Sequence, residues 1–127
     1  MTQNEAINYW LRTAERDQKT ANDLYKNGHY SWSLFIWQLV LERLLKAHLV
    51  TKDKAAPPIH NLLKLAKLAE IKLNDNLVKE LAEITSFNLE ARYDDYKEQF
   101  YKKATKEFTK RWSNNAERIC QWLKNQL

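Results

Sequence analysis

The chain has 127 residues, 21 Lys and Arg against 16 Asp and Glu (net charge +5), and only one glycine, two prolines and one cysteine. Its length fits a single domain with a hydrophobic core of its own, and one cysteine excludes an internal disulfide and an all-cysteine metal cage. The lone glycine excludes a glycine-rich phosphate loop and leaves hairpin turns without their usual positive-φ residues, so an all-α fold is expected.

The opening MTQNEAINYWLRTAERD mixes acids, bases and amides and lacks the pattern of a signal or transit peptide, which gives a cytoplasmic expectation. No apolar run is long enough to span a membrane. A first helix is expected over about Asn4 to Lys26, started by the capping-box spacing of Thr2 and Glu5 and ended at Asn27-Gly28. Trp10, Ala14, Ala21 and Leu24 form its apolar stripe, with Asp17 in the same line. A second helix, about Ser31 to Thr51, carries apolar residues on more than one side. Trp32, Phe35, Ile36, Leu39 and Val40 face one way, and Leu34, Trp37, Leu41, Leu44 and Leu45 the other. Such a helix must be covered on most sides, partly by a second subunit if the chain is a homodimer.

TKDKAAPPIHN reads as a loop, because paired prolines cannot sit inside a helix. A short helix follows over about Asn61 to Glu70, and a fourth over about Asp75 to Leu89. Residues 90 to 102 lose periodicity and read as a bent connection. The last helix, about Ala104 to Lys124, shows a stripe through Phe108, Trp112, Asn115, Ile119 and Trp122. The fold class is therefore an all-α, antiparallel up-and-down bundle of four main helices plus a short fifth.

Few residues suggest chemistry. Arg43 and His48 lie five positions apart on one helix, so they point about 140° away from each other and cannot share a phosphate. Asp17 and Glu42 occupy apolar-stripe positions, where a carboxylate needs a partner, and Lys46 lies one turn beyond Glu42. Both acids read as structural polar residues. His29, His48 and His60 are scattered without metal-ligand spacing, and Asp94-Asp95 alone do not make a Mg²⁺ site, so neither metal nor cofactor is expected. Arg92 and Tyr93, with His60 and Lys46, form the polar set best suited to a phosphate-bearing ligand such as a nucleotide or RNA.

The order and wording of four segments resemble the HEPN domains (higher eukaryotes and prokaryotes nucleotide-binding). Trp10, Ala14 and Asp17 match the first-helix signature, and Gly28, Tyr30 and Ala47 with the leucines between match the second. PPIHNLLKLAKLA, carrying His60, Asn61 and Leu62, resembles the loop into helix three, and Glu90, Ala91, Arg92 and Tyr93 match the late motif. The resemblance is to the small prokaryotic members often encoded beside a minimal nucleotidyltransferase. It implies a helical bundle, commonly a two-fold dimer, and a nucleotide-binding accessory subunit of a nucleotidyltransferase pair, by extension a toxin–antitoxin component. Many HEPN relatives are metal-independent ribonucleases with an arginine and a histidine four to six residues apart late in the domain. Here Arg92 is followed by no histidine, and none stands among Asp95 to Phe100, a range that contains every position at that spacing. The departure predicts a noncatalytic subunit, with a HEPN endoribonuclease as the alternative.

Overall fold

A computed structural model describes all residues, 1–127, as six helices with no strand. Helix α1 (Gln3–Lys26) starts where the Thr2 hydroxyl accepts the Glu5 amide at 3.1 Å. It stops at a three-residue turn, Asn27 to His29, in which Gly28 takes φ +80°, a left-handed conformation that L side chains adopt only under strain. Helix α2 (Tyr30–Thr51) runs back along α1, as the pairs Ala21–Ser33, Asp17–Arg43 and Gln3–Val50 show.

Asn61 caps the short α3 (Leu62–Leu68) by accepting the Leu63 and Lys64 amides, and Asn74 caps α4 (Asp75–Glu90) by accepting the Leu77 amide. Thr105 likewise caps α6 (Lys106–Asn125) through the Phe108 amide. Each is a polar side chain satisfying an amide that has no partner inside its own helix. The Asn88–Gln38 bond sets the end of α4 near the middle of α2, and α4, followed backward from there, runs toward the C-terminal half of α2. The Glu80–Arg118 pair sets the first half of α4 beside the second half of α6. Helices α1, α2, α4 and α6 thus alternate in direction, and α3 and α5 are short additions.

Helix α5 (Asp94–Lys103) corrects the expected bent connection over residues 90 to 102, and it makes six helices where four main helices and one short one were expected. Its apolar signal is weak because Phe100 is its one buried residue. Its end charges add a smaller local contribution: Asp94 and Asp95 in the first turn and Lys102 and Lys103 in the last oppose the helix dipole. The stripe of α6 is also shifted by one residue. The buried positions are Thr109, Trp112, Ala116, Ile119, Cys120 and Leu123, while Asn115 and Trp122 lie at the margin.

The core is organised around α2, which packs against each of the other five helices. Thirteen of its 22 residues are buried, among them Leu34, Trp37, Leu41, Leu44 and Leu45. That side is covered by the chain's own helices, whereas on the other Val40 is buried, Phe35, Ile36 and Leu39 are half-buried and Trp32 is exposed. No helix is long and apolar enough to cross a membrane.

Candidate functional site

Four polar residues of the buried interior form a connected system at the meeting of α2, α4 and the loop before α3. Glu42, its side chain 7% exposed, accepts the Lys46 ammonium at 2.9 Å one turn along α2. The same carboxylate accepts Nδ1–H of His60 at 2.8 Å and Nε2–H of Gln38 at 3.2 Å. Gln38, fully buried, also donates to the His60 carbonyl at 2.8 Å, which ties the proline-rich loop to the middle of α2. Its own carbonyl accepts from Asn88 at 2.8 Å. Arg92 closes the series: Nη2 donates to the Asn88 side-chain oxygen at 2.6 Å and Nε to the Asn88 backbone carbonyl at 2.9 Å.

Electrostatics fix which way each amide points. A carboxylate at one end requires a donor, and a guanidinium at the other requires an acceptor. The amide groups of Asn88 and Gln38 therefore align head to tail between Arg92 and Glu42. Burial by itself pushes the Glu42 carboxyl up, but the Lys46, His60 and Gln38 hydrogen bonds and the Lys46 charge together outweigh it and hold the group below the usual glutamate value. Glu42 is accordingly an anion at neutral pH.

Around this interior the surface is aromatic. The Arg92 guanidinium lies 5.7 Å from the Phe35 ring centre and 5.5 Å from that of Tyr93, and Trp32 meets Phe35 edge-on. Tyr93 is 52% exposed. The Lys46 ammonium lies 5.6 Å from the Trp10 ring centre. His60 keeps 54% of its side chain exposed, and its Nε2 makes no hydrogen bond within the protein.

The sequence-derived set of Arg92, Tyr93, His60 and Lys46 is thus gathered into one region, with Glu42 as its anionic centre. Asp17 is elsewhere. Its carboxylate meets Nε of Arg43 at 2.6 Å between α1 and α2, beside a cavity lined by Tyr9, Thr13 and Arg16. His48, turned toward α6, donates from Nε2 to the Leu123 carbonyl at 2.8 Å. Burial lowers its pKa, the Leu123 carbonyl opposing and Lys52 adding to the effect. Arg43 and His48 therefore serve different helix contacts. Burial raises the Cys120 pKa, so that thiol is a packing group rather than a nucleophile.

Sequence reasoning did not single out Gln38, which joins both halves of the region. The available signal was an amide in the middle of the apolar run LFIWQLVL. No three His, Cys, Asp or Glu side chains converge as a metal site would require. The main surface cavities, about 280 to 450 Å³, are lined by other residues and include none of Glu42, His60 or Arg92. The region is an open surface over a buried polar interior, a shape suited to an extended chain more than to an enclosed small molecule.

Comparison with known proteins agrees with this architecture. The crystal structure of TT1696 from Thermus thermophilus matches with a TM-score of 0.81 and 21% identity, over 95% of this chain and 98% of that one, which shows a shared fold. No curated protein matches the chain significantly. The family model described as HEPN domain matches residues 7–126, taking in most of α1, the loop carrying His60, the segment carrying Arg92 and all of α6. On that extent of match the chain belongs to the HEPN domain family.

Proposed function

We propose that this HEPN domain is a metal-independent endoribonuclease whose proton-transfer residue is His60 and whose phosphate-binding residue is Arg92. The observation that carries the reading is the 2.8 Å bond from His60 Nδ1–H to the buried Glu42 carboxylate, made by a ring that is otherwise half open to solvent. A histidine held this way keeps its Nε2 lone pair outward, and the carboxylate behind it stabilises the imidazolium that proton uptake creates. It supplies from the loop before α3 the group that the late motif lacks after Arg92.

In this mechanism His60 Nε2 takes the proton of a ribose 2′-hydroxyl. The 2′-oxygen bonds to the adjacent phosphorus, and the bond from phosphorus to the 5′-oxygen breaks. The products are a 2′,3′-cyclic phosphate and a 5′-hydroxyl, whose oxygen takes its proton from solvent. The planar guanidinium of Arg92 binds the non-bridging oxygens, where charge builds up. Lys46 acts through Glu42, to which it is already bonded, and Tyr93 offers a face for a base.

Purified protein incubated with structured and single-stranded RNAs in the presence of a chelator should leave cyclic-phosphate ends. His60→Ala and Arg92→Ala should each lower the rate by about 10²-fold or more, the usual worth of a positioned acid or base. Absence of cleavage, or cleavage indifferent to both substitutions, overturns the reading.

A noncatalytic accessory subunit of a minimal nucleotidyltransferase, with or without a toxin–antitoxin role, is the second reading. The exposed Tyr93 ring against Arg92 favours it, because a stacking face beside a guanidinium fits one nucleotide. Copurification with such an enzyme, together with nucleotide affinity lost in Arg92→Ala, in a protein that cleaves no RNA, would select it.

A further inference from the structure

We infer that Gln38 and Asn88 are positioning residues that join Arg92 and His60 into one hydrogen-bonded unit. The consequence for cleavage rests on the ribonuclease reading; the coupling itself does not.

Three observations support the inference. The path is unbroken, from Arg92 Nη2 to Asn88 at 2.6 Å, from Asn88 to Gln38 at 2.8 Å, and from Gln38 to both the His60 carbonyl and Glu42 at 2.8 and 3.2 Å. The path is also dry: Gln38 is fully buried, and Glu42 and Asn88 are each 6% exposed as whole residues. In such surroundings aligned hydrogen bonds polarise one another, and an unmade one is costly, so each amide is held in a single orientation. Finally, both amides occupy core positions on α2 and α4 that an apolar side chain of similar size would fill. A satisfied buried polar group adds little net stability over such a replacement. What the two amides add is geometry, since His60 and Arg92 come from segments that no shared helix holds together.

Two substitutions test it. Gln38→Met keeps the length of the side chain and removes its three hydrogen bonds. Asn88→Asp keeps an acceptor for Arg92 but takes away the donor that reaches Gln38. Side-chain ¹H–¹⁵N spectra of the whole protein should show the Arg92 Nε–H signal displaced and exchanging faster with water in Gln38→Met, although residue 38 makes no hydrogen bond to Arg92. Reciprocally, the His60 ring signals should move in both Asn88→Asp and Arg92→Lys. In cleavage, both relay variants should lose kcat by about 10²-fold, the cost of a misplacement on the order of 1 Å, with KM nearly unchanged. A residue that only fills the core would move neither the distant signals nor kcat.

Unmoved Arg92 signals in folded Gln38→Met, with unmoved His60 signals in Asn88→Asp, overturn the inference. If Gln38→Met does not fold, the His60 signals of Asn88→Asp decide alone. If wild-type protein cleaves no RNA, the ribonuclease reading falls while the spectra still decide the coupling.

Discussion

Two carboxylates on the bundle's inner stripes meet opposite physical demands. Asp17 and Arg43 keep 23% and 28% of their side chains exposed, so water screens both the charges and the loss of either one. Glu42 and Lys46 keep 7% and 9%, and a buried carboxylate stripped of its cation is left with an uncompensated charge. Asp17→Asn should therefore cost no more than about 1 kcal/mol. Lys46→Met should cost about 3 kcal/mol, since removing one partner of a buried pair is strongly destabilising. Denaturant melts of both variants at neutral pH check the contrast, and equal losses would show that Gln38 and His60 suffice to hold Glu42. The spacing of Glu42 and Lys46 on one helix was legible in the sequence, because one turn of separation is a local property. The His60–Glu42 bond was not, because it depends on how the proline-rich loop folds back on α2. Gln38 shows the same limit from the other side. An amide in an apolar run announces a buried polar contact, but not whose.

At the scale of the element, apolar stripes and the breaks at Gly28 and the paired prolines explain why most helices could be placed from sequence, and the caps mark their starts. Thr2, Asn61, Asn74 and Thr105 each accept a first-turn amide, which is a signal contained in a few consecutive residues. Helix α5 escaped because its order comes from tertiary contact instead of pattern. Phe100, 2% exposed, packs with its ring centre 5.4 Å from that of Phe87 on α4, and Lys103 pairs with Glu83 at 3.1 Å. Phe100→Ala should cost about 3 kcal/mol and leave a cavity under α5. Hydrogen exchange should then show α5 amides losing protection ahead of those of α2. Uniform loss across all helices would mean that α5 unfolds only with the whole domain. The one-residue shift of the α6 stripe has a related cause. Thr109, Ala116 and Cys120 take buried places that the larger Phe108 and Trp122 claim by hydrophobicity, because small residues allow α6 to lie close against α2 and α1.

For the molecule as a whole, the case for a homodimer changes its footing. The side of α2 carrying Leu34, Trp37, Leu41, Leu44 and Leu45 is covered within one chain, while the side carrying Trp32 stays partly open. Trp32, Leu89, Tyr93 and Tyr96 are 43%, 44%, 52% and 45% exposed, and Trp32 connects through Phe35 and Arg92 to Tyr93. A stable interface of ordinary size covers about 800 Å² per partner, roughly a tenth of the 7610 Å² that this chain exposes. Aromatic side chains and arginine are the types enriched at the centres of such interfaces. We expect a two-fold homodimer formed through this surface, which would set two copies of Arg92 near one another and narrow the open region into a cleft. Sedimentation equilibrium at micromolar concentration should then return twice the 15.2 kDa chain mass. Trp32→Glu would place a carboxylate in the contact without touching the core, and should return the monomer mass with an unchanged melting temperature at low concentration. A wild-type protein that sediments only as monomer would end the dimer proposal and leave the aromatic surface free for RNA bases or another protein. If cleavage persists in a monomeric Trp32→Glu variant, each chain carries a complete site. If it disappears while the His60 and Arg92 signals stay in place, the site is completed across the two-fold axis.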